Sequence, residues 1–385
     1  MMTHMRSAAL LAILMAACAT PPPPPVPAPC PVCPAPKPDA EAARYEPRAF
    51  SDLPGWGNAQ LGPSLRAFAG GCARFKKLCD AAKSVPAGEE RSFFESNFIP
   101  YALVSTTTGD VGLVTGYYEP IIDGSRAATP QYRFPIYGVP PDLVVVDLGT
   151  VAPETRGLRL RGRVEGRRIV PYYTRGEIDA RGDSFGAPII AWSADPVELF
   201  FLQIQGSGQV RLENGERIRV GFADQNGHPY RSLGRYLVER GEMQLEHASM
   251  QGIKAWASAN PQKLQDALNQ NPSYVFFREL PANDGPIGAL SVPLHAEYSL
   301  AVDRRFVPLG APVYLATTYP LSNQPLERLM AAHDTGGAIR GVARSDFYWG
   351  TGPEAGSHAG RMRQQGRMWL LWPKGEPPPS GPAAP

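Results

Sequence analysis

The sequence has little net charge and no apolar run long enough to cross a membrane. Its 38 Lys and Arg residues and 36 Asp and Glu residues leave a formal net charge of +2. A general nucleic-acid binder normally has a strong basic excess, so nucleic acid is not an expected partner. The apolar run at residues 8–17 is shorter than the roughly 20 residues that a transmembrane helix needs. The sequence contains no internal repeat.

The chain has five cysteines, and their spacing does not indicate a metal site. Cys30 and Cys33 form a Cys-x-x-Cys pair, but no histidine or second pair lies nearby, so we expect no metal and no cofactor. Cys72 and Cys79 fall in a helix predicted over residues 64–82, where positions seven apart are about 10 Å apart at the backbone, too far for a disulfide. Either the helix ends between these two cysteines, or they stay reduced or pair elsewhere.

The N-terminus is typical of an exported and membrane-attached protein. A basic start followed by the apolar run gives residues 1–17 the form of a signal peptide. Leu14-Met15-Ala16-Ala17-Cys18 resembles a bacterial lipobox, although Met15 stands where leucine is commonest. We expect Cys18 to be lipidated; secretion with an unmodified Cys18 is the alternative. Ala19 resembles the residue found in outer-membrane lipoproteins, so the expected location is the periplasmic face of that membrane in a Gram-negative bacterium.

Residues 18–40 form the predicted tether behind the lipidated cysteine. Proline dominates residues 21–38, which excludes helix and central strand and favours extended polyproline structure. At about 3.1 Å per residue the segment spans roughly 55 Å, so the folded part can act well away from its membrane. The tail at residues 374–385 is also proline-rich and is predicted to be disordered.

Between its two ends the sequence predicts a mainly β chain with some helix. Helical signals cluster at residues 64–82 and 231–270, and within the second region Asn260 can cap a helix whose first position is Pro261. Strands are predicted where short apolar or alternating runs are bounded by turn residues. These runs are residues 143–146, 167–171, 200–204, 209–212, 217–222, 313–316, 329–332 and 368–372.

Two aspartates near the C-terminus lie among glycines and aromatic residues. Asp334 begins Asp334-Thr335-Gly336-Gly337-Ala338-Ile339-Arg340-Gly341, and Asp346 lies in Ser345-Asp346-Phe347-Tyr348-Trp349-Gly350. Glycine lets a backbone approach a ligand closely, and neighbouring aromatic side chains raise a carboxyl pKa by desolvation. Such a carboxyl suits general acid catalysis at neutral pH. Asp-Gly stretches also mark plain turns, so spacing alone leaves both interpretations open.

This segment as a whole resembles the three-aspartate (3D) domain of the membrane-bound lytic murein transglycosylase A family. Its continuation through Gly352-Pro353-Glu354-Ala355-Gly356, Ala359-Gly360 and Gly366-Arg367-Met368-Trp369-Leu370-Leu371-Trp372-Pro373 fits that domain. The family's other motifs are resembled, in the family's order, by Gly116-Tyr117-Tyr118-Glu119-Pro120, Phe201-Leu202-Gln203-Ile204-Gln205-Gly206-Ser207-Gly208, Asn226-Gly227-His228-Pro229-Tyr230-Arg231-Ser232, Asn271-Pro272-Ser273-Tyr274-Val275-Phe276-Phe277 and Ala301-Val302-Asp303-Arg304. The resemblance covers about residues 113–372.

The resemblance implies a double-psi β-barrel domain with a second, barrel-like β domain inserted into it and a groove between them. On this basis the first domain comprises residues 41–119 and 242–373, including a 3D domain at 290–373, and the inserted domain comprises residues 120–241. The segment 156–177 within the insert holds seven arginines against two glutamates. These arginines are either solvated positions on strand faces or a surface that attracts the peptide carboxylates of peptidoglycan.

The same resemblance implies a peptidoglycan lytic transglycosylase, taken as exo-acting although the sequence leaves endo action open. Such a lyase cleaves the β-1,4 bond between N-acetylmuramic acid and N-acetylglucosamine without water and leaves a 1,6-anhydro sugar. Asp346 is then the catalytic acid, and its carboxylate later accepts the proton of the sugar's 6-hydroxyl, which replaces water as nucleophile. Asp334 is then a supporting catalytic group that orients Asp346 or stabilises charge on the sugar. Its alternative is a structural role, accepting bonds from the amides of Gly336 and Gly337.

Aromatic rings and short polar loops supply the candidate sugar contacts. One of the two adjacent tyrosines is expected in the cleft, because neighbouring residues of a strand point to opposite faces. The predicted loop after residues 200–204 combines amide, backbone and hydroxyl groups; a tight turn is its structural alternative. Glu119 and Asp303 are interpreted as structural carboxylates. The predicted substrate-binding residues are Tyr117, Tyr118, Gln205, Gly206, Ser207, Gly336 and Gly337.

Other classes of protein remain as alternatives. Asp334-Thr335-Gly336 is also the active-site tripeptide of aspartic proteases, but those need two such aspartates and the chain has a single Asp-Thr-Gly. A peptidoglycan hydrolase or a cell-wall-binding module without activity is the nearer alternative. The expected partners are peptidoglycan glycan strands and the outer membrane, and complexes of cell-wall synthesis or division are further candidates.

Overall fold

A computed structural model describes residues 41–152, 155, 160–281 and 285–379. The predicted signal peptide, Cys18 and the proline tether lie outside the described residues. Within these ranges, no helix combines the length and the apolar character that crossing a membrane requires.

Helices and strands alternate irregularly along the chain. The α-helices are α1 (Leu61–Gly71), α2 (Lys76–Ala82), α3 (Glu90–Asn97), α4 (Arg175–Arg181), α5 (Pro196–Gln205), α6 (Leu233–Glu239), α7 (Met250–Ala259), α8 (Pro261–Asn269) and α9 (Pro353–Ala359). The first eight strands are β1 (Ala43–Pro47), β2 (Phe98–Ser105), β3 (Gly112–Glu119), β4 (Ile121–Ser125), β5 (Phe134–Tyr137), β6 (Val144–Val146), β7 (Leu160–Glu165) and β8 (Arg168–Pro171). The remaining strands are β9 (Ile189–Ser193), β10 (Ser207–Leu212), β11 (Arg217–Gln225), β12 (Val275–Leu280), β13 (Ser299–Val302), β14 (Pro312–Thr318), β15 (Pro325–Asp334), β16 (Ser345–Thr351) and β17 (Arg363–Pro373).

Six strands close into a barrel that carries both candidate aspartates. The sheet runs β17-β14-β15-β13-β16-β3, and β3 pairs in turn with β17. The pairs β13–β15 and β16–β3 are parallel, whereas β14 pairs antiparallel with both of its neighbours. β2 and β1 extend the sheet from β17. Apolar side chains from these strands and from α1–α3 form the largest core cluster, and the mainly β prediction is confirmed.

A second sheet is inserted between β3 and β13, as expected. Its order is β12-β11-β10-β4-β9-β5, and a bridge from Gly138 to Phe277 links its two edges into a barrel-like form. The predicted end of the insert at residue 241 was too early, because β12 pairs antiparallel with β11. Helices α5–α8 also share one apolar cluster, so the insert continues to Leu280. A small sheet, β6-β7-β8, lies within it.

The helix predicted over residues 64–82 is broken where the two cysteines meet. α1 ends at Gly71, a short 3₁₀ turn follows, and α2 begins at Lys76. Cys72 and Cys79 form a disulfide with their Cα atoms 5.3 Å apart. Of the alternatives left open for this pair, a helix that ends between the two cysteines is therefore the correct one.

Three other local predictions need correction. The helical region predicted at residues 231–270 contains α6, α7 and α8, and α8 begins at Pro261 with Asn260 in the N-cap position, as predicted. The Asn260 side chain makes no capping bond, however, because its amide donates to Trp256 O at 2.9 Å. Residues 200–204 belong to α5, not to a strand. The predicted disorder of the tail does not begin at Lys374, whose backbone N–H donates to Asn97 O at 2.9 Å. The other predicted strands overlap β6, β8, β10, β11, β14, β15 and β17.

Candidate active site

Four neighbouring strands place a row of side chains across one face of the barrel. Ala301 on β13 is the register partner of Asp334 on β15 and also of Asp346 on β16. Thr115 on β3 is in turn the partner of Asp346. Register partners point to the same face of a sheet, so the row reads Asp334, Ala301, Asp346, Thr115. The two aspartates are two strand spacings apart, about 10 Å at the backbone, with only a methyl group between them.

A β-bulge is what brings Asp334 onto this face. The partner of Leu300 is Ala332 and the partner of Ala301 is Asp334, so His333 is an extra residue on β15. In a regular strand Ala332 and Asp334 would share a face. The extra residue turns Asp334 to the opposite face, which is a common use of bulges near active sites. His333 itself is fully buried, with its Nδ1 2.8 Å from the Ser299 Oγ.

Asp346 has the properties of a general acid. Its side chain is half-buried, and its Oδ1 lies 2.6 Å from the Thr115 hydroxyl. Burial raises the pKa of Asp346 to about 6, while the charge of Arg344 and the Thr115 bond lower it and the charge of Asp334 raises it. At a pKa near 6 the carboxyl is protonated in an appreciable fraction of molecules near neutral pH and can still release its proton.

Asp334 is held by backbone amides. Its Oδ1 accepts hydrogen bonds from the N–H groups of Ala289 and Thr335, each at 2.9 Å. Gly336 and Gly337 are not its donors, so that detail of the structural alternative is wrong. Burial raises the pKa of Asp334, and the two amide bonds and the Tyr117 hydroxyl oppose the rise. Because Asp334 is fixed by backbone, it is suited to hold charge in one position beside Asp346.

Tyr117 brings a hydroxyl to the two carboxylates. It follows Thr115 by two residues on β3, and its ring lies 5.1 Å from that of Tyr348. Its hydroxyl is buried and interacts with the Asp334 carboxylate, but it forms no hydrogen bond of good geometry with any residue described. Burial raises the pKa of Tyr117, and the nearby charges of Asp334 and Asp346 raise it further. A hydroxyl beside two carboxylates that lacks a hydrogen bond of good geometry is a group that a ligand can satisfy.

The second tyrosine points away from the carboxylates. Tyr118 is buried, and its hydroxyl donates to Sδ of Met250 at 3.3 Å. One tyrosine therefore faces the aspartates and the other packs inward, as alternation in a strand requires. The predicted stacking role finds no support at Tyr118, and at Tyr117 it is the hydroxyl that faces the site.

The residues Gln205, Gly206 and Ser207 form a helix end rather than a free loop. Gln205 is the last residue of α5, and its Oε1 accepts from the backbone N–H of Tyr118 at 3.2 Å. Gly206 has a positive φ of 76° as the cap of α5, and Ser207 begins β10. Within the described residues none of the three hydrogen-bonds to Asp334 or Asp346. Gly336 and Gly337 lie in the loop after β15, where Gly337 is exposed.

Glu119 and Asp303 have structural partners. Glu119 is buried and accepts from the Gln209 amide and the Thr351 hydroxyl, at 2.9 and 2.6 Å. Asp303 directly follows β13 and accepts from the backbone N–H of Gly341 at 2.9 Å, which ties the loop between the two candidate aspartates to the end of that strand. In the described part of the chain, no group of three or more His, Cys, Asp or Glu residues is arranged to hold a metal ion.

The described arginines of residues 156–177 serve several local contacts. Arg161 pairs with Asp224 at 2.8 Å, and Arg163 stacks on the ring of Tyr173. Arg175 is buried, where it donates to the Gln203 amide and to Ser273 O. Arg167 and Arg168 are exposed. The solvated-face interpretation therefore fits only part of this segment.

Sequence reasoning did not single out Thr115, Arg344 or His333, and it noted Ala301 only as part of a motif. Thr115 lies 231 residues before the aspartate that it contacts, and a lone threonine in a strand has no local pattern of its own. His333 precedes Asp334 directly, but nothing in the sequence marks it as a bulge. Only the pairing of β3, β13, β15 and β16 makes these residues neighbours.

Comparison with known proteins gives matches along the folded part of the chain. Residues 113–278 match the family model described as the MltA specific insert domain, and residues 298–372 match that of the 3D domain. The Membrane-bound lytic murein transglycosylase A of Escherichia coli (strain K12) is 36% identical over 265 residues, covering 67% of this chain and 64% of the relative. The match thus spans less than two thirds of that relative's length.

Solved structures match over a longer part of the chain. A crystal structure of MltA from Neisseria gonorrhoeae has a TM-score of 0.78 and 41% identity, covering 88% of this chain and 94% of that one. E. coli MltA with bound chitohexaose has a TM-score of 0.62 and 28% identity, covering 88% and 93%. The match to the insert model begins in β3 and ends in β12, in agreement with the insert seen here.

Proposed function

The chain belongs to the membrane-bound lytic murein transglycosylase A family, and from this premise we propose that it is a peptidoglycan lytic transglycosylase. The bond cleaved is the β-1,4 linkage between N-acetylmuramic acid and N-acetylglucosamine, and the product carries a 1,6-anhydromuramic acid end. The observation that carries this proposal is the half-buried Asp346, whose pKa is raised to about 6, on the same barrel face as Asp334.

In the first step Asp346 donates its proton to the glycosidic oxygen. The bond from that oxygen to the anomeric carbon then breaks, and the muramic acid ring gains oxocarbenium character. Asp334 stands across Ala301 from the acid, and its carboxylate stabilises positive charge that develops on the sugar. Its amide bonds to Ala289 and Thr335 keep that charge in place without reorganisation during the reaction.

In the second step the sugar's own 6-hydroxyl attacks the anomeric carbon. The carboxylate of Asp346 accepts the hydroxyl proton and returns to its starting state. Because the nucleophile belongs to the substrate, proximity supplies what a bound water would otherwise need. One carboxyl therefore suffices as acid and then base, and no cofactor is required.

A glycan polymer as substrate is supported by a structural neighbour. E. coli MltA has been crystallised with bound chitohexaose, an oligosaccharide. On the present chain the buried hydroxyl of Tyr117 offers a contact for a sugar hydroxyl at the two carboxylates. The loop with Gly336 and Gly337 follows Asp334, and a glycan can approach the exposed Gly337 closely.

Product analysis tests the proposed function. Detergent-solubilised full-length protein is incubated with purified peptidoglycan, and the soluble products are examined by mass spectrometry. We expect muropeptides with 1,6-anhydro ends, which weigh one water less than reducing-end products. Reducing ends would indicate a hydrolase, and unchanged glycan would indicate a binding module or a protease.

We propose further that the protein is lipid-anchored at the periplasmic face of the outer membrane. The support is the lipobox-like sequence Leu14-Met15-Ala16-Ala17-Cys18. In addition, the names of the relatives describe them as membrane-bound. Replacing Cys18 with Ala should abolish acylation and give a soluble or precursor form. If the variant still sediments with outer membrane at high salt, the lipid anchor is wrong. Complexes with cell-wall synthesis or division proteins stay a prediction.

A further inference from the structure

A chain of hydrogen bonds joins Arg344 to Asp346 through the hydroxyl of Thr115. The Thr115 Oγ1 lies 2.6 Å from Oδ1 of Asp346, and Nη2 of Arg344 donates to the same Oγ1 at 2.8 Å. The guanidinium also donates to the carbonyls of Leu113 and Ser345. Since Thr115 and Asp346 are register partners of β3 and β16, strands rather than loops hold both ends of the bond.

The direction of each bond follows from the groups involved. A guanidinium has no acceptor, so Thr115 must accept from Arg344 and keeps its own hydrogen for another group. Among the described residues, Oδ1 of Asp346 is the acceptor within reach of that hydrogen. A proton on Oδ1 would point at the hydroxyl hydrogen of Thr115, or that hydroxyl hydrogen would have to rotate away and lose its acceptor. The proton of neutral Asp346 is therefore favoured on Oδ2.

We propose that Thr115, oriented by Arg344, is a positioning residue that keeps Oδ1 of Asp346 as an acceptor and places the acid proton on Oδ2. This inference rests on the proposed function, in which Asp346 is the acid. Without the Thr115 hydroxyl, the proton of Asp346 would occupy either carboxyl oxygen. One of these, Oδ1, points toward β3 rather than toward a glycan. The Thr115 bond settles this choice before substrate binds, and such preorganisation lowers the barrier to proton transfer.

Three ionisable groups face Asp346 and must be considered in any pH profile. Asp334 approaches from β15, Tyr117 from β3, and Arg344 from the residue before β16. The charge of Arg344 and the Thr115 bond lower the pKa of Asp346, so removing either raises it. A general acid works in its protonated form, and activity falls as pH rises through its pKa. This fall in activity on the high-pH side is the basic limb of the pH profile. The loss of either group therefore moves the basic limb to higher pH.

The experiment compares Thr115→Val with Thr115→Ser in the full-length protein. Valine keeps the size and the β-branch but has no hydroxyl, and serine keeps the hydroxyl without the methyl. On soluble, uncrosslinked glycan strands we expect kcat of the valine variant to fall about 10- to 100-fold with KM little changed. Its basic limb should move to higher pH. The serine variant should retain activity and pH profile close to those of the wild type.

A third variant, Arg344→Gln, tests the other end of the chain of bonds. It should also move the basic limb to higher pH, and combining it with Thr115→Val should cost less than the product of the two single effects, because both act on one proton. The inference is overturned if Thr115→Val keeps the wild-type kcat and pH profile, or if Thr115→Ser is as impaired as Thr115→Val. Absence of anhydro products from the wild type would instead defeat the proposed function.

Discussion

His333 interrupts the pairing of β15 with β13, and this turns the carboxylate of Asp334 onto the face that carries Asp346. The histidine is fully buried beside Ser299, and burial lowers its pKa to about 4. It is therefore neutral near pH 7. Helix α1 covers its other ring nitrogen at Gly71, where any Cβ atom would lie 2.4 Å from Nε2. The bulge is thus held between β13 and α1.

The contact between Gly71 and His333 gives the first prediction. Gly71→Ala must displace a buried ring, so we expect the free energy of unfolding to fall by about 1–3 kcal/mol and activity to fall because Asp334 moves with the bulge. The matched control is Gly57→Ala, since a Cβ atom there meets nothing within 4 Å. Chemical denaturation of both variants measures the difference. Equal stability of the two would mean that α1 does not confine His333.

The raised pKa of Asp346 predicts that its ionised carboxylate destabilises the folded protein. Its pKa is about 6 in the folded protein against 3.8 as reference, so the folded state binds more protons between these values. Stability therefore falls as pH rises through this window, and the penalty is complete above pH 6. Asp346→Asn should raise the free energy of unfolding by about 3 kcal/mol at pH 7.5 and by little at pH 4, while turnover drops by roughly 10²-fold or more.

Denaturation of wild type and Asp346→Asn at the two pH values checks this prediction. His333 also titrates between pH 4 and its ordinary pKa, with the opposite sign, but it is common to both proteins and cancels in the difference. Asp80→Asn is the control, because Asp80 is exposed on α2 and its replacement should change stability only slightly. A variant that keeps substantial activity would assign the acid elsewhere, with Asp334 the first candidate.

Loss of the Tyr117 hydroxyl is predicted to lower activity without lowering stability. Tyr117→Phe removes a buried hydroxyl that makes no hydrogen bond of good geometry, so the free energy of unfolding should stay level or rise by up to about 1 kcal/mol. Activity should fall about 10-fold if the hydroxyl contacts the glycan. Tyr45→Phe is the matched control, since the Tyr45 hydroxyl donates to Phe306 O at 2.7 Å. That variant should lose about 1 kcal/mol and keep its activity. The reverse pattern would contradict this account of Tyr117.

The segment around Asp346 could be singled out from sequence because its signals are local. Asp346 lies directly before three aromatic residues in a motif-rich segment, and burial of its own carboxyl raises its pKa. The face of Asp334 could not be predicted, because a regular strand would turn it the other way. The bulge depends on how β13 and β15 pair, and that pairing is parallel and non-local.

The error at residues 200–204 has a different cause. A five-residue run with four apolar residues fits a buried strand and a buried helix equally well. Asp195 and Pro196 were the missed signals: the Asp195 carboxylate caps α5 by accepting from the N–H groups of Val197 and Glu198, and Pro196 is its first residue. The helix end then turned Gln205 toward the Tyr118 backbone and away from the expected sugar-binding loop.

The central claim is that the sugar's 6-hydroxyl, not water, is the nucleophile. The most direct test is a glycan whose muramic acid residues lack that hydroxyl but keep the scissile bond and the other binding groups. Asp346 can still protonate the glycosidic oxygen, yet no internal nucleophile follows. We expect the deoxygenated glycan to bind and to stay uncut apart from slow reaction with water, as read by mass spectrometry. Release of reducing-end sugars at a rate near that of normal glycan would contradict the transglycosylase account.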